Sequence, residues 1–336
     1  MLRRFLAAAF LVILALVLLV IAWPQLFSLQ RAPGVAQLVS LRGLAVVVAI
    51  AVIVVLGLVV VLSPAVRRFA ASAAVLFVVF VLLNAAVLAS RGIGNLAFDT
   101  AAPRSVTVLA WNTLGDAPGA EVIAQLAMGS GADVVALPET TLATGQAVAD
   151  AMALAGRPMQ TFTIAFDQIS KARSTTLLIS DELGPYVVDP NEPNSSVLPT
   201  VIARPVDGSG PTIMSVHLVA PIPGQLANWS ADLEWMAGIC AAENTIVAGD
   251  FNSTLDHFSE LATADAADIG GCVDSAGASD NAAVGTWPTA LPALIGAPID
   301  HIMASVDWDV TGMRVIENYD KYGSDHRPVL AQLTPR

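Results

Sequence analysis

The 336-residue chain is 55% hydrophobic and only 13% charged, which excludes an ordinary water-soluble protein. Its charge is split: residues 1–90 hold six Arg and no Asp or Glu, whereas 91–336 hold all 28 acidic side chains against ten Lys and Arg, a balance of −18. So acidic a region, with no Lys/Arg cluster, is a poor match for a long nucleic-acid duplex. The step in composition predicts a membrane region over 1–90, a linker over 91–104 and a soluble domain over 105–334, large enough for one core of its own.

In chain order, Phe5–Trp23, Leu44–Leu62 and Phe69–Ala89 are apolar runs, the third interrupted only by Ser72 and Asn84. At about 1.5 Å per residue each crosses a hydrocarbon core of roughly 30 Å, so three transmembrane helices are expected. Ile21-Ala22-Trp23-Pro24 offers no small-residue cleavage site, so the first run is expected to remain as a helix. Arg3 and Arg4 before the first span, and Arg67 and Arg68 before the third, favour a cytoplasmic N-terminus. Three spans then carry the soluble domain to the extracytoplasmic face of the cell membrane; Arg31 and Arg42 argue weakly for the reverse. The spans contain no ionisable side chain, so nothing in them can carry a transport or proton-relay role.

Beyond the linker, Ser105–Trp111 reads as a strand with Asn112 at its end, Asp116–Gly119 as a turn and Ala120–Met128 as a short helix. Ala132–Leu137 is a second buried strand that runs into Pro138-Glu139, and Leu142–Ala155 a helix. Thr161–Ile164, Thr175–Ile179 and Val197–Ala203 read as strands, and Pro211–Val216 as another that delivers His217. Trp229–Ala242 is helical, with Leu233, Met236, Ala237 and Cys240 on one face. Ile246-Val247-Ala248 is a short buried strand leading to Gly249, Asp250 and Asn252. Phe258–Asp265 is expected to be a short helix, Pro298–Ala304 carries Asp300 and His301, and Trp308–Glu317 is a strand. Ser324-Asp325-His326 precedes the last strand. Strands and helices alternate, but some neighbouring strands have no helix between them, so mixed sheets covered by helices are expected. Cys240 and Cys272 either pair in an oxidising compartment or stand as two buried thiols; the expected topology favours the pair.

Strand after strand ends in a polar residue: Asn112, Glu139, His217, Asp250 with Asn252, Asp300, and Asp325 with His326. Any one of these alone is more simply a turn former or a structural histidine. Together they offer hard oxygen ligands for Mg²⁺ or Mn²⁺, a His–Asp pair to activate water, an Asp–Asn pair to position it and a second His to bind developing charge. That set suits metal-assisted phosphoester hydrolysis.

The ordered motifs Trp111-Asn112, LPE at 137–139, VHL at 216–218, GDFN at 249–252, IDHI at 299–302 and GSDHRPV at 323–329 resemble those of the endonuclease/exonuclease/phosphatase superfamily. The resemblance covers 105–334; with spans ahead of it, the chain looks like bacterial membrane-anchored members. It implies a four-layer α/β sandwich, two mixed β-sheets face to face with helices outside. It also implies that Glu139 is the main metal ligand, with Asn112 and Asp325 near the metal or the phosphate. His326, oriented by Asp300, would be general base or phosphate contact. Asp250 would align the attacking water with Asn252, and His217 would stabilise the phosphorane or assist the leaving group. The cofactor implied is a divalent metal, Mg²⁺ before Mn²⁺. Pro138 departs from the usual Gln before the Glu, and so removes a backbone donor near Glu139.

Loops at the strand ends would choose the substrate, among them Ala220–Gln225 and Gly285–Pro288; Trp229 and Trp287 either line a pocket or pack. The expected function is hydrolysis of a small or lipid-linked phosphodiester or phosphomonoester at the membrane bilayer. An extracellular nuclease is the alternative. A catalytically inactive anchored binding module is the alternative from another class; it would lack a member of the Glu139, Asp250, His326 set, and all three are present.

Overall fold

The computed structural model describes residues 1–167, 169–265 and 267–336, which divide into two compact units, Met1–Arg91 and Gly92–Arg336. The first unit holds α1 (Leu2–Ala22), the short α2 (Val35–Ser40), α3 (Arg42–Leu62) and α4 (Arg67–Arg91). Three of them, α1, α3 and α4, are long and apolar enough to cross a membrane. Pro24 follows α1 and Pro64 follows α3, where the missing N–H makes further helix costly. A small core of Leu18, Ala22, Ala49 and Phe80 joins the helices, while Phe5, Val61 and Leu82 stay outward and exposed. The one buried polar residue of α4 has a partner. Asn84 Oδ1 accepts from Arg42 Nη1 at 2.7 Å, and the same nitrogen donates to Ala22 O at 2.9 Å. Arg42 is therefore engaged by protein at the start of α3, which weakens its use as a topology signal.

The second unit has strands β1 (Val106–Ala110), β2 (Val134–Pro138), β3 (Met159–Ala165), β4 (Ser174–Ser180), β5 (Tyr186–Val187) and β6 (Val201–Pro205). It continues with β7 (Thr212–His217), β8 (Thr245–Asp250), β9 (Cys272–Asp274), β10 (Asp300–Ser305), β11 (Trp308–Val315) and β12 (Val329–Pro335). They form two six-stranded sheets, ordered β11-β12-β1-β2-β4-β3 and β5-β6-β7-β8-β10-β9. Each sheet is antiparallel except at its centre, where β1 runs parallel to β2 and β7 to β8. A parallel pair needs a crossover, and α5 (Ala120–Ser130) and α7 (Leu226–Ile239) supply them. Helices α6 (Leu142–Leu154) and α8 (Ser275–Ala278) complete the order.

Alternation along β1 shows how the layers form. Val106, Val108 and Ala110 point into a core shared with Ile213, Ile246 and Ala248 of the other sheet. Leu109 and Trp111 point the other way, against Ile123 and Ala127 of α5 and Val148 of α6. This is the expected sandwich of two mixed sheets flanked by helices. Crossovers return both parallel pairs in the same direction, so four strand ends, after β1, β2, β7 and β8, can converge.

Several elements depart from expectation. Helix α4 runs through Arg91, and 92–104 is no free linker: Gly94 N donates to Asp280 O, Asp99 N to Thr311 O, and Phe98 bridges Gly312. The expected helix Phe258–Asp265 is a series of turns, because Glu260 takes a positive φ of 71° and Leu261 O and Thr263 N bond to Gly270 instead. The strand expected at Val197–Ala203 starts at Val201, since Asn194 holds the backbone of Ser195 and Thr200 in a loop. Helix α7 begins at Leu226, and β5, β9 and α8 carried no periodic signal because each is four residues or fewer. Cys240, capping α7, and Cys272, opening β9, are joined by a disulfide with Cα atoms 5.3 Å apart.

Gly249 shows why the strand before Asp250 admits no other residue. Its φ is 143°, and a Cβ there would lie 2.1 Å from Val216 O on β7. Gly249→Ala should cost about 3 kcal/mol or more, because backbone rather than a flexible side chain must move. Thermal melting should fall by about 6 °C or more; an unchanged midpoint would contradict this packing.

Candidate active site

Asn112 lies two residues past β1, carried forward because Trp111 N and Thr113 N continue the parallel ladder to Ala136 O and Pro138 O. Glu139, directly after β2, takes a left-handed φ of 58°, and its carbonyl accepts from Thr113 Oγ1 at 3.0 Å. Asn112 Nδ2 donates to Glu139 Oε1 at 3.2 Å and to Asp250 Oδ2 at 3.0 Å, tying the two sheets together. Pro138 gives no N–H, so Glu139 is oriented by the Asn112 amide and by its own backbone turn.

His217 and Asp250 end β7 and β8 and are partners in the parallel register. Asn252, at φ 47°, turns back on Asp250: its N–H donates to Asp250 Oδ1 at 2.8 Å and its amide to Asp250 Oδ2 and Leu218 O. Asp300 opens β10 opposite Asp250 in the antiparallel ladder. It holds His326, whose Nδ1 lies 2.9 Å from Asp300 Oδ2. A carboxylate accepts only, so Nδ1 carries the hydrogen and Nε2 faces inward, 3.8 Å from Asp250 Oδ2 and 3.9 Å from Asp325 Oδ1. His217 Nε2 lies 3.8 Å from Glu139 Oε1 and 3.9 Å from Asp250 Oδ2. All eight candidate side chains thus fall in one connected cluster centred on Asp250. The disulfide cysteines lie apart, between α7 and β9.

Burial sets the electrostatics. It pushes the fully enclosed His217 down to about 3, with the nearby charge of His326 adding to the effect. At His326 burial also opposes charge, but the carboxylates of Asp300 and Asp250 outweigh it and raise the imidazolium to about 10. Asp250 is raised by burial, which the His326 cation only partly offsets. Glu139 is raised by burial as well, against the Asn112 hydrogen bond.

At pH 7 His217 should therefore be neutral and His326 protonated. Ring-nitrogen NMR of the EDTA-treated protein should show both states unchanged from about pH 5 to 9; a shared titration near 6.5 would refute the assignment. The linked stabilities have opposite signs. The unfolded chain protonates at His217 first, so this group withdraws stability as pH falls from 6.5 toward about 3. His326 contributes fully below 6.5 and loses its contribution as pH rises toward about 10.

The donor set fits a hard divalent cation. Asp250, Asp300 and His326 place ligand atoms within 4.8 Å of one another. Asp300 Oδ2 and His326 Nδ1 are already bonded to each other, and both Asp250 oxygens accept from Asn112 or Asn252, so the carboxylates left for an ion are Glu139 and Asp325. Asp325 Oδ1, Asp300 Oδ1 and His217 Nδ1 are buried without a hydrogen-bond partner among the described residues, as expected where a ligand completes a site.

Further residues outside the eight candidates support the cluster. Ser324 Oγ donates to Asn112 O at 2.6 Å and accepts from His326 N. Trp287 Nε1 donates to Asp325 Oδ2 at 2.9 Å, so this tryptophan borders the site. Trp229 is fully buried and donates to Ser253 Oγ and Asn252 O; it packs and braces instead of lining a pocket. Only the Ser of SDH was signalled by its motif. The tryptophan contacts span 38 and 24 residues and leave no local pattern.

Residues 109–326 match the model of the Endonuclease/Exonuclease/phosphatase family. Among curated proteins, no match to the chain is found. Solved structures share the fold. D. rerio TDP2 humanized by 14 mutations superposes with a TM-score of 0.51 at 18% identity, covering 68% of this chain and 99% of the other. An endonuclease/exonuclease/phosphatase family protein from Leptotrichia buccalis also gives 0.51, at 11% identity, over 68% and 99%. At such identities these likenesses establish architecture alone.

Proposed function

The chain belongs to the endonuclease/exonuclease/phosphatase family, whose members hydrolyse phosphoester bonds, and from that premise we propose a membrane-anchored, divalent-metal-dependent phosphoesterase acting on a small or lipid-linked phosphoester. The observation that carries the reading is the convergence on Asp250. One buried carboxylate is bonded by Asn112 and Asn252 and faced by both site histidines.

Each side chain then has work suited to its state. Asp250, its carboxyl raised by burial, takes a proton from the attacking water, which Asn252 helps to align. His326, held protonated by Asp300, binds a non-bridging phosphoryl oxygen as negative charge builds. His217 is neutral and serves the leaving-group side as a hydrogen-bonding imidazole. Glu139, Asp325 and Asn112 would hold the metal, Mg²⁺ before Mn²⁺, which when bound neutralises phosphoryl charge as a Lewis acid.

The substrate preference rests on charge. Arg157, Lys171, Arg173, Arg204, Arg327 and Arg336 each pair with a carboxylate, so few cations of the acidic domain remain to track a polyanion. The disulfide supports an extracytoplasmic domain, and the three apolar helices support its anchoring.

The test is a panel of bis-p-nitrophenyl phosphate, p-nitrophenyl phosphate, sphingomyelin and plasmid DNA, offered to the full-length protein in detergent with Mg²⁺ or EDTA. Metal-dependent turnover of at least one of the first three, well above DNA, is expected. Efficient DNA cleavage would replace the substrate class by nucleic acid, and no turnover of any would favour a binding module.

A further inference from the structure

The histidine of the IDHI motif, His301, stands behind the site and takes no part in the chemistry above. Asp300 and His301 are consecutive on β10, so they face opposite sides of the sheet. Asp300 faces His326, while His301 is 2% exposed, among Phe251 and Phe258, which meet its ring edge-on at 5.4 Å. Its Nδ1 lies 2.5 Å from Asp274 Oδ2 on β9, and its Nε2 lies 2.8 Å from Ser253 O. Neither a carboxylate nor a carbonyl can donate, so both ring nitrogens donate.

Ser253 follows the turn on which the site depends. Asn252 holds a left-handed φ of 47°, which asparagine tolerates better than other non-glycine residues but which its neighbours still have to keep in place. The turn is gripped from two sides. Trp229 on α7 donates to Asn252 O and Ser253 Oγ, and His301 on β10 donates to Ser253 O. The elements behind the two grips are linked: Asp274 lies on β9, and the disulfide joins Cys272 of β9 to Cys240 at the end of α7. Phe251 N also bonds to Ile299 O, one residue before Asp300. One strand thus fixes both the carboxylate behind His326 and the turn behind Asp250.

We propose that the buried Asp274–His301 pair is a positioning device for catalysis, holding the Asp250–Asn252 turn through Ser253 O so that the water-aligning groups stay in register with His326. This rests on the phosphoesterase reading for its effect on turnover, but not for its effect on the turn. Removing such support typically costs about 10- to 100-fold in activity.

The test uses the full-length chain in nanodiscs, with His301→Asn, His301→Gln and Asp274→Asn. The Gln amide nitrogen can reach where Nε2 donates to Ser253 O, whereas the Asn amide reaches only the Nδ1 position. Turnover of bis-p-nitrophenyl phosphate with Mg²⁺ and hydrogen exchange over 249–258 are measured alongside thermal melting. For His301→Asn, kcat should fall about 10- to 100-fold with KM nearly unchanged, and exchange over 249–258 should quicken. His301→Gln should recover most of both, and Asp274→Asn should fall between them. Equal kcat in the Gln and Asn variants, or wild-type exchange in His301→Asn, would overturn the proposal even if both variants melt early. A wild-type protein without EDTA-sensitive turnover would remove the phosphoesterase reading instead, and the exchange pattern would still decide whether the pair braces the turn.

Discussion

Asp250→Asn should lower kcat by on the order of 10³-fold or more, about 4 kcal/mol of transition-state stabilisation, while leaving the fold intact. The substitution is isosteric, so packing around the fully buried side chain is kept. What changes is hydrogen-bond polarity and charge. Both carboxylate oxygens accept: Oδ1 from Asn252 N, Oδ2 from the amides of Asn112 and Asn252. An amide in either orientation sets its NH₂ against a donor, so the turn and Asn112 lose their common anchor. The base that would accept a proton from water is lost with it, as is the carboxylate that helps keep His326 charged. Burial already penalises the Asp250 anion, so the metal-free variant should melt within a few degrees of the parent. Steady-state turnover and melting of the same preparation check both halves. Activity within tenfold of wild type would remove Asp250 from the reaction.

Glu139→Gln should act chiefly through the cation. Its Oε1 is held by Asn112 Nδ2 and faces His217 Nε2, and it is a hard oxygen at the site with a partly open face. Gln keeps the volume but replaces an anionic ligand with a neutral amide. The apparent affinity for Mg²⁺ should drop about 100-fold or more, with kcat at low metal falling in step and partly recovering at high metal. Metal titration of activity, with calorimetry of binding, measures this directly. An unchanged metal dependence would move the ion to another part of the cluster.

Much of this site was legible beforehand because strand ends are local features. A short β-branched run, a stop and a polar residue mark where a buried strand meets a ligand edge, and Asn112, Glu139, His217 and Asp250 all stood at such places. The motif order then carried the family and the sandwich. The short pieces were not legible: β5, β9 and α8 are set by sheet edges and side-chain bonds, and the segment 261–263 by pairing with Gly270.

By itself the sequence determined the three apolar helices, the acidic domain behind them, the strand-end residues and the resemblance that joined them. Those follow from periodicity and composition, which are properties of neighbours along the chain. Only the tertiary structure decided that Asp250 is the centre of the cluster, that burial lowers His217 while the carboxylates around it raise His326, and that His301 and Trp229 grip one turn from two sides. These depend on burial and on donors meeting acceptors across tens of residues, and no pattern of spacing encodes either.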